Sequence, residues 1–150
     1  MTTEVTDKRI SETYGEMYER HWAEMKKIPM GYALTEKDYE AGLQELGVGK
    51  KEITWLSDTA AFVRTKDAPQ LKEMLDRHAA EEEAAIEADE TGEGFIRTMF
   101  AYELADNEYC ITKDITDTLE ALDLTLEQVN ADPRLKRGLE LGKIDALANK

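Results

Sequence analysis

The sequence predicts a mainly α protein, a single domain of five to six helices with a small two-stranded β-hairpin around residues 53–65. Three observations carry that expectation. Apolar residues recur at three- and four-residue steps along most of the chain, the period of a helix with one buried face. Proline, glycine and capping residues stand where those periodic stretches begin and end. Only residues 53–65 break the pattern, with Ile53, Trp55, Phe62 and Val63 as β-formers around the turn-like Ser57-Asp58-Thr59. A chain of 150 residues that is 41% apolar can bury a core despite its 35% of charged residues.

Residues 1–6 are expected to form a flexible start. The first helix runs from about Asp7 to Ile28, because Ile10, Tyr14, Met17, His21, Met25 and Ile28 share one face. Pro29 and Gly31 end it, and "GYAL" reads as a short extended linker. Thr35 then caps a second helix with Asp38 at the third position. Tyr39, Leu43 and Leu46 form its buried stripe, and Gly47 supplies the residue that stops it. A two-stranded ribbon is marginal by itself, so the 53–65 hairpin must lie against helices.

Asp67 and Pro69 open a long helix, roughly Ala68 to Asp89, which "ETGEG" breaks. "FIRTMFAYELADN" is apolar around most of its circumference and should be the central helix. The chain turns through "EYCITKD". A short helix, one or two further turns and a terminal helix from Pro133 follow, with Asp114, Thr125 and Asp132 as their N-caps. No internal repeat and no linker long enough to divide the chain is visible.

Thirty-three acids against nineteen bases give a net charge of −14, and the excess is local. Between His78 and Pro133 there are sixteen acids and two bases, Arg97 and Lys113, so that this span carries the whole imbalance. Such a surface repels nucleic acid, whose binding needs Lys and Arg to displace counterions, and favours a basic protein surface. Cys110 is the single cysteine, "MTTEVTDKRI" has no apolar signal core, and no apolar run reaches the roughly 20 residues of a membrane helix. The expected setting is the cytoplasm, with no membrane partner.

The acids of the long helix divide into two groups. With Leu71 at zero and 100° per residue, Met74, Leu75, Ala85 and Ile86 fall within about 60° of one direction, His78 at about −20° and Glu82 at about +20°. Glu81, Glu83 and Glu87 point sideways or outward. On the first helix His21 lies at about +20° from Ile10 and Glu24 at about −40°. His21, Glu24, His78 and Glu82 are therefore candidates for a Zn or Fe site and for a metal-dependent enzyme. Against this, no Glu-x-x-His or His-Glu-x-x-His is present, and a histidine bonded to a carboxylate at the core rim is the plainer reading. No metal or cofactor is expected.

Other constellations are thinner. Cys110 has no histidine near it in sequence to activate it, Gly92 and Gly94 fit no phosphate-binding pattern, and scattered carboxylates at 103–123 have no glycosidase-like context. Arg134, Lys136 and Arg137 would suit a DNA-reading helix, but the two helices before them are acidic. Carboxylates at i and i+4 lie roughly 5–6 Å apart between Cβ atoms, a workable spacing for imitating successive phosphates. Glu81, Glu83, Glu87, Glu90 and Glu93 are the expected partner-binding residues, and binding rather than catalysis is the expected activity. A solubilising face is the alternative use of the same charges. So is a helical dimer or adaptor that uses Trp22, Trp55 and methionine-rich faces.

Residues from about 32 to 142 resemble an uncharacterised family of small proteins from phages and integrative elements of gut bacteria. The resemblance rests on Asp67-Ala68-Pro69, Leu71, Met74 and Arg77-His78 (DAPxLxxMxxRH), and on Thr91-Gly92 with Gly94-Phe95 (TGxGF). Met99-Phe100, Tyr102-Glu103-Leu104 and Glu108-Tyr109 (MFxYELxNxEY), then Asp117 to Leu139 (DTLxALxLTxExVxxDxRLxxGL), complete it. It departs at Asp106-Asn107, where the family carries Asn-His. The resemblance brings no established activity. A mobile-element origin implies, by analogy, interference with host defence of the anti-CRISPR or antirestriction kind. The expected partner is then a basic, nucleic-acid-binding protein such as a host defence nuclease.

Overall fold

A computed structural model describes residues 12–56 and 59–148. The expected flexible start at 1–6, the first turns of the first helix with Ile10, and Ser57-Asp58 of the hairpin turn lie outside them. The fold is mainly α with a small antiparallel sheet, and it divides into two compact units. One is Arg20–Ala80; the other is the chain on either side of it. The divisions fall inside two helices, α1 (Tyr14–Met25) and α3 (Ala68–Ala88), and no linker marks them.

Within Arg20–Ala80, α1 stops at Met25, three residues short of its expected end. Lys27 and Ile28 already bond back to Glu24 and Met25 in tighter i→i+3 turns. The segment read as an extended linker is a strand, β1 (Met30–Tyr32), so the sheet has three strands and not two. Helix α2 (Glu36–Leu46) is capped as the sequence implies. Thr35 Oγ1 accepts from the Asp38 N–H at 3.1 Å, and Gly47 adopts the left-handed conformation at φ 68°. Strands β2 (Ile53–Trp55) and β3 (Ala61–Arg64) form the expected hairpin. The order is β1-β3-β2, with Gly31 and Trp55 flanking Phe62 across the pairs.

Successive residues of the central strand face opposite sides of the sheet. Phe62 meets Tyr39 and Trp55 on one side. Val63 joins Ile28, Leu71 and Met74 on the other. Both are fully buried, which is why β3 carries an unbroken apolar run. Leu75 departs from the helical projection. It is 45% exposed, because at this point α3 turns Leu71, Met74 and His78 inward instead.

The second unit is all helix among the described residues. Thr13 and Glu16 exchange backbone-to-side-chain bonds at the start of α1, satisfying two donors that the helix end leaves open. The central helix is α4 (Phe95–Asp106), with Phe95, Ile96, Met99, Phe100 and Leu104 buried, as its composition implies. Four shorter or later helices follow: α5 (Tyr109–Thr112), α6 (Thr116–Ala121), α7 (Leu126–Ala131) and α8 (Pro133–Ala148). The described residues thus hold eight α-helices instead of five to six, chiefly because "EYCITKD" holds a helical turn. Glu108 and Lys113 bracket that turn at φ 58° and 60°, with no glycine or proline to announce it.

Helices α4 and α8 pack backbone to backbone. A Cβ on Gly138 would lie 2.4 Å from Ile96 Cγ2, and one on Gly142 would lie 2.8 Å from Phe100 Cβ. Hydrogen at these two positions, four residues apart on one face, sets the helix separation. Val129, Leu119, Tyr109 and Leu139 close the core around them. Thr125 and Asp132 each accept a backbone N–H at the helix starts expected of them, and Thr125 completes a reciprocal box with Gln128, whereas Asp114 accepts from the Thr116 N–H one residue ahead of the N-cap, Ile115. No described helix is long and apolar enough to cross a membrane.

Candidate functional site: the acidic helical unit

The charge separates with the fold. Arg20–Ala80 contains ten acids and ten bases, whereas the rest of the chain contains twenty-three and nine. The entire −14 therefore belongs to the helical unit.

The stretch of α3 that runs into this unit presents Glu83 and Glu87 to solvent, and Glu90 and Glu93 continue the exposed series beyond its end. Glu81 is half-buried. Two of these acids lie near bases of α8: Glu87 Oε1 is 4.0 Å from Arg134 Nη2, and Glu93 Oε1 is 3.6 Å from Arg137 Nη2. Glu83 and Glu90 make no ion pair among the described residues. A second series is equally open. Asp117, Glu120, Asp123 and Glu127 on α6, α7 and the turn between them are exposed, and none is paired among the described residues.

Not every acid of the run is surface. Asp89 folds inward and holds the "ETGEG" turn. Its Oδ1 accepts from the N–H groups of Thr91 (3.2 Å) and Gly92 (2.9 Å), and its Oδ2 from those of Gly94 (3.1 Å) and Ile96 (3.0 Å). Burial alone would raise its carboxyl. The donors from Ile96, Gly92, Thr91 and Gly94 outweigh that and hold it below the usual range. Gly92 sits at φ 84°, where a Cβ would meet the Arg134 carbonyl oxygen at 2.0 Å. Arg134 in turn donates to the carbonyls of Ile86 and Asp89, capping the end of α3 from another helix. The TGxGF residues are thus a structural turn, and Arg134, one of the bases that could have suited a DNA-reading helix, serves it.

Three of the four metal candidates come together. His21, Glu24 and His78 belong to Arg20–Ala80, and Glu82 to the helical unit. The two imidazoles stack with centroids 3.8 Å apart, 9° from parallel, and His78 Nε2 lies 2.6 Å from Glu24 Oε1. Arg77 takes both oxygens of the same carboxylate, at 3.1 and 2.6 Å. Hydrogen bonds from Arg77 first, then His78, pull the Glu24 carboxyl down to about 2. Among the described residues no three His, Cys, Asp or Glu side chains are grouped so as to hold a metal ion.

Sequence reading missed Glu103. It sits on the buried helix α4, 8% exposed, and accepts from the Tyr14 hydroxyl at 3.0 Å. Its signal was a lone acid inside the apolar run "FIRTMFAYEL". Cys110 is half-buried, and Trp22 and Trp55 are about half exposed, at 48% and 50%.

Fold and site together define a mainly α protein with one electrically neutral and one strongly acidic unit. The chain belongs to DUF7659, a family of unknown function that matches residues 13–143. No curated protein and no solved structure matches it.

Proposed function

We propose that the protein is a non-enzymatic binding protein whose acidic helical unit engages a basic, nucleic-acid-binding surface on another protein by imitating nucleic-acid charge. Its setting in this reading is a mobile genetic element, and its role is anti-defence inhibition of the anti-CRISPR or antirestriction type. The partner is then a host defence nuclease in the cytoplasm.

The observation that carries the reading is the confinement of all net charge to one folded unit. A solubilising surface has no need of that segregation, because charges of both signs spread over both units would serve equally. A one-sided field steers a basic partner onto one face at long range. The two open series, Glu83 to Glu93 and Asp117 to Glu127, supply the carboxylates. The mobile-element setting is supported by the sequence resemblance alone.

The test is capture and inhibition of host nucleases by the purified protein at low and at high salt. Reversal of Glu83, Glu87 and Glu90 to lysine should abolish inhibition, and rising salt should weaken it for the unaltered protein. Inhibition that survives both the reversal and the salt would sink the mimicry.

A further inference from the structure

In the helical unit the start of α1 lies along α4, and aromatic rings fill the seam between them. The Tyr14 N–H donates to Thr98 Oγ1 at 3.0 Å, which fixes this end of α1 on α4. From there the rings run outward. Phe95 is buried and meets Tyr14 edge to face, with centroids 5.9 Å apart. Tyr14 meets Tyr102 at 5.4 Å, and Tyr102 meets Tyr18 at 5.4 Å with the planes 38° apart. Gly15 puts no side chain in this seam, where a Cβ would stand 3.4 Å from Tyr102 Cδ2. Tyr102 is half-buried, and Tyr18 ends the series 47% exposed. Acids surround that open end. Asp106, exposed, stands one turn beyond Tyr102 on α4. Burial first, and then the charges of Tyr18, Asp106, Glu103 and Glu19, raises the Tyr102 phenol. Among the described residues of this unit the cation placed over a ring is Lys113, and it stands on Tyr109.

We propose that Tyr18 and Tyr102, flanked by Asp106 and Glu19, form an anchor for an arginine side chain of a basic partner protein. The inference rests on the binding reading above and names the side chain that the partner inserts. A guanidinium is planar, so it can stack on an aromatic ring and donate to a carboxylate at once, whereas an ammonium acts as a point charge. Tyr18 rests on Tyr102, and Tyr102 on Tyr14, so the rings are set before the partner arrives and little freedom is lost on binding. The anchor and the open carboxylate series then recognise one partner by different physics. The carboxylates act at long range and weaken with salt, while stacking acts only at contact.

The probe is an oligo-arginine peptide, compared with an oligo-lysine peptide of the same length and charge, each titrated against the full chain and followed by fluorescence anisotropy. The unaltered protein should prefer arginine. Tyr18→Ala should cut that preference about two- to fivefold, and Tyr102→Leu, which keeps apolar bulk in the seam, should do the same. Tyr18→Phe keeps the ring and should retain the preference. Reversal of Glu83, Glu87 and Glu90 to lysine should weaken both peptides alike and leave the preference standing. Equal affinity for the two peptides, or an arginine preference that Tyr18→Ala leaves intact, overturns the anchor without touching the mimicry. Nuclease inhibition that survives charge reversal and salt sinks the mimicry, and an arginine preference lost in Tyr18→Ala still supports the anchor.

Discussion

The two units of this chain solve electrostatics in opposite ways. In Arg20–Ala80 acids and bases are equal in number, and several meet directly: Glu24 with Arg77 and His78, Arg64 with Asp67, Lys72 with Asp76. In the helical unit acids outnumber bases by fourteen, and its described arginines, Arg97, Arg134 and Arg137, meet carboxylates or the end of α3. Both units nonetheless bury fully enclosed apolar side chains, Phe62 and Val63 in one, Ile96, Phe100 and Leu104 in the other. Apolar burial and backbone bonding hold a fold against a one-signed surface, which leaves the sign of that surface free for other uses.

The largest expected effect tests whether the units are distinct at all. Phe62→Ala and Phe100→Ala each remove a fully buried ring and should cost about 3–5 kcal/mol. Both tryptophans, Trp22 and Trp55, lie in Arg20–Ala80, so their fluorescence reports that unit while far-ultraviolet circular dichroism reports all helices. Phe62→Ala should displace the fluorescence transition more than Phe100→Ala does. Identical displacement of both signals by both variants would erase the distinction.

A smaller effect sharpens the reading of the acidic run. Asp89→Ala removes the acceptor of four backbone N–H groups and should cost about 1–2 kcal/mol, the scale of a lost helix cap, whereas Asp89→Asn keeps one carbonyl acceptor and should cost less. Glu90→Ala next to it should leave the melting temperature unchanged. Equal losses from Asp89→Ala and Glu90→Ala would return Asp89 to the undivided surface.

The smallest concerns acid. Glu24 titrates in the fold at about 2, so its ion pairs contribute fully above the free value of about 4.3 and are lost as pH falls toward 2. Tryptophan fluorescence should reveal loosening of Arg20–Ala80 in that window, and Glu24→Gln should reduce the pH dependence there. Among the described residues of the helical unit, no carboxylate is held in this way by an arginine and a histidine together. An unchanged acid profile in Glu24→Gln would remove the contrast.

Much of this was legible from residue order. Periodicity placed α2, α3, α4 and α8, and the side-chain caps at Thr35, Thr125 and Asp132 placed their starts or those of their neighbours, because such signals act over a few residues. β1 was missed because three residues with a glycine in the middle have no period, and only pairing with β3 makes them a strand. Helix α5 was missed because Glu108 and Lys113 take left-handed conformations that their side chains do not advertise. The exposed acids of α3 were visible by projection. Asp89 was not, since a carboxylate serving a turn looks in sequence like any other acid, and the one mark of Glu103 is its place as a lone acid inside an apolar run.

The glycine-spaced contact of α4 with α8 has a consequence for synthesis. Ile96 and Phe100 face Gly138 and Gly142, some forty residues further along the chain. A contact between residues so far apart forms only after the intervening chain exists. While α5, α6 and α7 are being made, the apolar side of α4 that α8 will cover stands open. The nascent segment carrying that exposed strip is the one richest in carboxylates, and like charges on neighbouring nascent chains keep such strips from meeting.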